Sequence, residues 1–438
     1  MKHVLLSIAM TGMILLGTRF GLAQVDAPAP QVGLSQGCAE KSSSPPESST
    51  PCGTIPIRTM ALRDHTGQTI AERLSGNQFL LTLGTIGGYD SAFDARPNLS
   101  GHFVGGRMFT GALLDRSSSF ALVENTASVI DYKNGPGSLQ YLDVFALSAA
   151  GSFSPSVATV LDVANTYGND AIRVIAPLDY VDGTELGSYG IHSGKVLDNQ
   201  IASRVIVQST STRQWTITAR NNFRKFFDST LWSDTVHGGA ALRFQSSERT
   251  TWGLYEDTSH ESGATDCTTE GGGLLYQHKL SRVASVDASA GPAFGSKGCF
   301  ITVTGNFYGA LSLQPREPTI LYVTASRKLN ESSFTGAVFE NSVMAGVIHK
   351  IDLHTLLKLQ GAWVQGRMPS NVTNAEGGYV AGLFEKEVGG GFTLSAAAQH
   401  YWWSGVTNVT PSRTLVIATL SWSPMRRKAN NMKQPQIP

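Results

Sequence analysis

The sequence lacks the long apolar run that a membrane-spanning helix needs. After residue 24, no stretch approaches the ~18 consecutive apolar residues of such a helix, so a helical membrane protein is excluded. Charge is also scarce, since charged residues make up 15% of the chain against roughly 25% in ordinary soluble domains. Glycine, in contrast, is abundant, with 46 residues. This composition suits alternating strands whose outer side chains face lipid rather than water.

The N-terminal segment has the pattern of a secretory signal peptide. Lys2 and His3 precede the apolar run 4–16, and small residues around Ala23 follow it. The run is too short for a spanning helix, so we predict residues 1–23 as a signal cleaved after Ala23. A membrane anchor is the alternative reading of this segment.

Neither sign of charge dominates the mature chain. Removal of Lys2 and Arg19 with the signal leaves 32 of the 34 basic residues, against 33 acidic ones. A nearly neutral chain gives no indication of a nucleic-acid partner or of general attraction to anionic membranes.

Cysteine is limited to Cys38, Cys52, Cys267 and Cys299. A secreted chain meets an oxidising compartment, where disulfides persist. Proximity in sequence favours Cys38 with Cys52 and Cys267 with Cys299, although other pairings of four cysteines exist. A metal site is the competing reading, but no CxxC and no clustered His accompany the cysteines, so neither a metal nor another cofactor is predicted.

The mature chain divides into three parts. Residues 24–75 begin with a Pro- and Ser-rich stretch that cannot bury enough apolar surface to order itself, which predicts a disordered periplasmic linker. Residues 76–424 are rich in period-two alternation, and residues 425–438 form a polar tail.

Alternation predicts β-strands throughout the second part. Trp215, Ile217 and Ala219 alternate with polar residues, and the ranges 307–313 and 392–399 repeat the pattern. Short breaks between segments alternate with longer ones, as in outer-membrane barrels with short periplasmic turns. We therefore predict an all-β, antiparallel transmembrane β-barrel with about eighteen strands, sixteen being the alternative count.

Two other readings compete with parts of this prediction. The segment 156–167 is assigned to a strand, although Val157, Val160 and Leu161 would also share one face of a helix. A secreted β-sandwich, solenoid or propeller would need strands of ~5–6 residues or a fixed repeat, and neither is present.

Aromatic residues near the segment ends predict girdles at the two membrane interfaces, with ordinary sheet packing as the alternative. These residues are Trp232, Trp252, Tyr276, Tyr322, Trp363, Tyr401, Trp402, Trp403 and Trp422.

The segment 413–424 (RTLVIATLSWSP) resembles the last strand of outer-membrane β-barrel proteins found in exopolysaccharide gene neighbourhoods of acidobacteria and similar bacteria. The segments 80–91 (LLTLGTIGGYDS) and 276–291 (YQHKLSRVASVDASAG) are similar to the same family, and the resemblance covers most of residues 76–424. It implies a barrel inserted by the outer-membrane insertion machinery, with a role in exopolysaccharide export or surface assembly. The chain departs from the commonest terminal signal, because a polar tail replaces a terminal Phe.

Three arginines form the one constellation with a chemical implication. If Val205, Ile217 and Leu242 face lipid, then Arg204, Arg220 and Arg243 point into the lumen from three consecutive strands. Such a strip would attract an anionic solute or polysaccharide. In the alternative reading, acidic residues on neighbouring strands neutralise it.

The sequence predicts a non-enzymatic protein of the bacterial outer membrane that contacts outer-membrane lipid. The first hypothesis is a pore or a component of exopolysaccharide export, with anionic polysaccharide or small solutes as partners. The second is a structural or adhesive barrel with a plugged lumen. The third is an outer-membrane hydrolase, for which Asp257, His260 and Glu261 in one loop are the only candidates; we predict no catalytic residues.

Overall fold

The computed structural model describes residues 78–424 apart from a set of short gaps. The gaps are 93–98, 117–118, 134–138, 170–171, 173–193, 228–229, 231, 264–265, 297–298, 300–302, 317, 333–335, 368–374 and 405–411. The predicted signal, linker and polar tail lie outside the described residues, as do Cys38 and Cys52, so these predictions stay predictions. Within the described part, no helix is long and apolar enough to cross a membrane.

The described residues form eighteen β-strands of 11 to 17 residues. Their bounds are β1 Gln78–Asp90, β2 Gly101–Arg116, β3 Ser119–Tyr132, β4 Gln140–Ser154, β5 Val157–Asn169, β6 Lys195–Thr210, β7 Arg213–Phe226, β8 Trp232–Gln245, β9 Thr250–Gly263, β10 Cys267–Ser281, β11 Ala284–Gly295, β12 Val303–Arg316, β13 Thr319–Ser332, β14 Gly336–Asp352, β15 Thr355–Arg367, β16 Ala375–Gly389, β17 Phe392–Ser404 and β18 Ser412–Trp422.

The sheet closes on itself. Each strand pairs antiparallel with the next one along the chain, and β1 pairs with β18 from Leu83 opposite Trp422 to Asp90 opposite Leu415. Closure leaves no edge strand with unpaired backbone groups, which hydrocarbon would not tolerate. The predicted barrel of eighteen strands is therefore confirmed, and the sandwich, solenoid and propeller readings are wrong.

Short turns and longer connections alternate around the barrel. Residues 155–156 join β4 to β5 and residues 211–212 join β6 to β7, whereas residues 170–194 connect β5 to β6. Strand β5 confirms the assignment of 156–167 to a strand. Both ends of the barrel chain lie at the short-turn end, because β1 begins there and β18 ends there.

The outer wall is largely apolar. Trp215, Leu254 and Phe307 face outward and are 42%, 49% and 46% exposed, on the same face as their alternating apolar neighbours. Large apolar side chains exposed all around a closed sheet would be unstable in water and match a lipid environment. Closed barrels are the one sheet architecture that spans a bilayer, and bacteria hold them in the outer membrane. The predicted outer-membrane location is confirmed.

The aromatic girdle prediction is partly wrong. Strand parity places Trp252, Tyr276 and Trp422 on the outer wall, where they are exposed. Tyr322 on β13 packs against buried side chains inside the barrel. Tyr401 and Trp403 lie on the opposite face of β17 and are 3% and 8% exposed. These two residues pack inside the barrel, because adjacent strand residues point to opposite faces and Trp402 takes the outward position between them.

Candidate functional site

The inner wall of the barrel is the candidate functional site, and it has two chemically different halves. The polar half consists of the inward faces of β5–β13. The apolar half consists of the inward faces of β14–β18 and β1–β4, where a cluster of apolar side chains lies together with buried charges such as Glu124, Lys358 and Glu385. The two halves face each other across the lumen because the strands follow one another around the closed sheet.

The structure places all three arginines of the predicted strip on the polar half. Each side chain points inward and is partly exposed, because apolar residues at the adjacent positions occupy the outer wall. Arg220 lies opposite His237 on the next strand, while Arg204 lies opposite Thr218. Arg243 lies nearer the short-turn end, opposite Gln214.

Arg204 and Arg243 are close enough to repel each other, and Asp287 on β11 attracts Arg243. Asp162 on β5 lies near Arg204 in the same way. Carboxylates therefore neutralise part of the strip, as the alternative reading of the sequence proposed. Arg220 also has a partner within the chain.

Sequence reasoning missed a fourth lumenal arginine. Arg224 lies four residues beyond Arg220 on the same inward face of β7 and forms an ion pair with Asp198 on β6. The signal that could have found it is the period of two along a strand, which puts Arg224 on the same face as Arg220. Arg204, Arg220, Arg224 and Arg243 make the inward faces of β6–β8 a basic sector of the lumen. Asp257, Glu261 and Asp287 make the inward faces of β9–β11 an acidic sector.

Several polar atoms of the polar half lack a hydrogen-bond partner within the described protein. They are Thr218 Oγ1, Asn222 Oδ1 and Tyr308 Oη. Polar groups away from bulk solvent are normally paired with protein or with water. Together with the inward charges, these atoms make the polar half a surface suited to contact with water and polar solutes.

The apolar half carries a single cluster of buried side chains. Its largest members belong to β1–β4 and β14–β18 and lie toward the long-loop end of the barrel. They are Ile86, Phe103, Ile130, Tyr132, Leu142, Val144, Met344, Val364, Tyr379, Leu383, Tyr401, Trp403, Leu415 and Ile417. Ile130, Val364 and Leu415 are fully buried, so this half of the lumen is packed rather than open at that depth.

Ile172, in the connection between β5 and β6, packs inside the lumen. This residue is 2% exposed and belongs to the same cluster as the inward side chains of β1–β4. A loop residue seated among inward-facing side chains narrows the passage on the apolar side.

A buried ion pair joins the first and last strands beside this cluster. Arg413 on β18 donates hydrogen bonds to Asp90 on β1, Nε to Oδ1 at 3.0 Å and Nη2 to Oδ2 at 2.6 Å. The Tyr132 hydroxyl donates to Asp90 Oδ2 at 3.0 Å, and the Ala92 backbone N–H donates to Oδ1 at 2.9 Å. Asp90 is 0% exposed and Arg413 is 3% exposed.

The residues of the hydrolase hypothesis do not form one loop or one site. Strand β9 extends to Gly263, so Asp257, His260 and Glu261 all lie within a strand. Asp257 and Glu261 point into the lumen, whereas His260 points outward, and its Nδ1 lies 3.0 Å from Thr268 Oγ1. The prediction that these residues lie in a loop was wrong. Polar residues on the outer face of β9 remove the alternation of apolar and polar residues that identifies a strand.

Cys267 and Cys299 are joined by a disulfide with a Cα–Cα distance of 4.8 Å. Cys267 is the first residue of β10, and Cys299 lies in the connection between β11 and β12. Both are buried, so the bond ties a long connection to the barrel wall at the long-loop end. No group of three or more metal-ligating residues occurs in the described part of the chain.

No family model matches the chain, and no curated protein matches its sequence. Solved porin structures are similar to the barrel in outline. OccAB3 of Acinetobacter baumannii is 9% identical, covers 79% of this chain and 99% of its own, and gives a TM-score of 0.43. A BenF-like porin from Pseudomonas fluorescens Pf-5 is 10% identical, with 80% and 99% coverage and a TM-score of 0.45.

OccK2 (OpdF) of Pseudomonas aeruginosa, solved in complex with glucuronate, is 9% identical, with coverage of 80% of this chain and 100% of its own and a TM-score of 0.45. The closed sheet, the apolar outer wall and the two halves of the lumen are observed in the structure of this chain itself.

Proposed function

We propose that the protein is a non-enzymatic outer-membrane channel in which polar solutes pass along the polar half of the lumen. The observation that carries this proposal is the set of inward charges, with basic residues on β6–β8 and acidic residues on β9–β11. Most of these charged side chains, such as Arg220 and Asp257, are partly exposed. Charged groups are costly to bury in a filled, dry interior, so their exposure favours a water path on that side. Anionic groups of a solute would follow Arg204, Arg220 and Arg243.

A finer proposal names the solute as an anionic exopolysaccharide. The resemblance of the 413–424 strand and of two other segments to barrels of exopolysaccharide gene neighbourhoods supports it. A long polymer that carries carboxylates would meet the basic sector repeatedly as it passes, which suits a sector spread over three strands.

Ion current through the purified protein in planar bilayers tests both proposals. We expect discrete conductance steps, and we expect an oligosaccharide of uronic acids to block the current more strongly than a neutral dextran of equal length. Equal block by the two polymers would contradict the exopolysaccharide proposal while leaving the channel intact.

One observation favours a second function. The fully buried inward side chains of the apolar half, with Ile172 among them, suit a closed barrel that acts as a structural or adhesive surface protein. This candidate predicts that the folded protein gives no conductance, and that a partner binds through the long loops.

A further inference from the structure

The outer wall over β8–β11 interrupts the apolar band. Glu256 lies at the centre of β9, points outward and is exposed. Its neighbours on the adjacent strands are Ala240 and Gly272. A carboxylate in this position has no large apolar side chain beside it on either neighbouring strand.

Glu256 lies at hydrocarbon depth. Trp252 and Tyr276 pair across β9 and β10 on the outer wall near the short turns, where an interfacial girdle belongs. Glu256 lies four residues along the strand from Trp252. With the usual rise and tilt of barrel strands, that spacing is about 10 Å, inside an apolar band about 25 Å tall. Charges on the lipid face are destabilising at this depth.

Small residues surround Glu256 on the same face, and the exposed Leu254 and Leu274 lie beside them toward the short-turn end. The small residues are Gly238, Ala240, Gly272, Ala288 and Ala290 on β8, β10 and β11. A patch of small residues lets a second backbone approach closely, as small residues do at interfaces within membranes.

A complementary charge lies on the outer wall of the same chain. Arg327 on β13 points outward, is exposed, and lies opposite Phe307 and Asn341. It lies eight residues from the short-turn end of its strand, whereas Glu256 lies six residues from that end of β9. The two charges therefore differ in depth by about 5 Å, which an arginine side chain spans. Arg327 also has a partner within its own chain, and its five donors allow more than one.

We propose that these two faces are an interface between copies of this chain, with Glu256 of one copy against Arg327 of the next. The two residues lie four strand-to-strand steps apart, on β9 and β13 of the eighteen strands, which is about 80° of the circumference of a closed barrel. The contacts of a closed ring of three or four cylinders lie about 60° or 90° apart. The interface is therefore heterologous, it closes into a trimer or tetramer, and protein rather than lipid covers Glu256.

A charge exchange tests the interface. We expect the wild-type protein in mild detergent to have three or four times the mass of one chain by light scattering. Glu256→Arg alone and Arg327→Glu alone should each give mostly single barrels, and the double variant should restore the assembly. A wild-type protein that is a single barrel in detergent and in vesicles would overturn the proposal. So would single variants that keep the assembled mass.

A crosslinking measurement avoids variants that fail to fold. Copies with Glu256→Cys and copies with Arg327→Cys, both in a Cys38→Ser, Cys52→Ser background, are mixed and oxidised in vesicles. We expect a disulfide-linked pair only in the mixture, and Ala398→Cys on the opposite outer wall serves as the control partner. Linkage equal to that of the control would mean that lipid covers this face, and the interface would be rejected.

Discussion

Replacement of Arg413 by Ala should lower the free energy of unfolding by about 3–5 kcal/mol, the usual cost of breaking a buried ion pair. Asp90 would keep its charge in a fully buried place and lose two of its hydrogen bonds. The pair also joins β18 to β1, so the loss falls on the contact that closes the barrel. Urea titration of the protein in vesicles, followed by tryptophan fluorescence, measures the change.

Two further variants separate the charge effect from simple loss of packing. Asp90→Asn in the Arg413→Ala background should recover part of the loss, because it removes the stranded charge. Lys133→Ala removes an exposed cation near the same end of the barrel and should change stability by less than about 0.5 kcal/mol. A loss for Arg413→Ala as small as that of Lys133→Ala would contradict the role assigned to the pair.

Replacement of Arg220 by Glu should shift the ion selectivity of the channel toward cations by about 5-fold or more. One unit charge at ~4 Å contributes about 1 kcal/mol in water, or about 5-fold in relative occupancy, and this change alters the charge by two units. The reversal potential under a salt gradient in planar bilayers measures the ratio of anion to cation permeability.

Lys225→Glu provides the matched control for this variant. It makes the same charge change on the same strand, but Lys225 points to the outer wall. Its selectivity should stay close to that of the wild type. Equal selectivity of the wild type, Arg220→Glu and Lys225→Glu would contradict a role of the basic sector in solute passage.

The sequence predicted the fold because the outward faces of strands such as β7 and β12 are apolar over several successive positions. In β7 and β12, polar or small residues occupy the alternate positions, so the two faces differ and the period of two is visible. The parity of β6–β8 then predicts which arginines point inward. Arg224 would have been found by extending the same parity by two positions from Asn222.

The apolar half of the lumen could not be predicted in this way. In β18, Leu415 and Ile417 point inward while Val416 points outward, so both faces are apolar and alternation is lost. Burial by packing inside the barrel depends on strands distant in sequence. The ion pair of Asp90 with Arg413 likewise depends on closure between the two ends of the sheet, which no local pattern reveals.

Along the strands of the polar half, side chains that face lipid alternate with side chains that face a water-filled lumen, and this is the central claim. Spin labels on Cys variants at 215, 216, 217, 218 and 219 of β7 test it in vesicles, in the Cys38→Ser, Cys52→Ser background. We predict that oxygen dissolved in lipid relaxes the labels at 215, 217 and 219, and that a water-soluble nickel chelate relaxes those at 216 and 218. Equal access of both reagents to adjacent positions would contradict the claim.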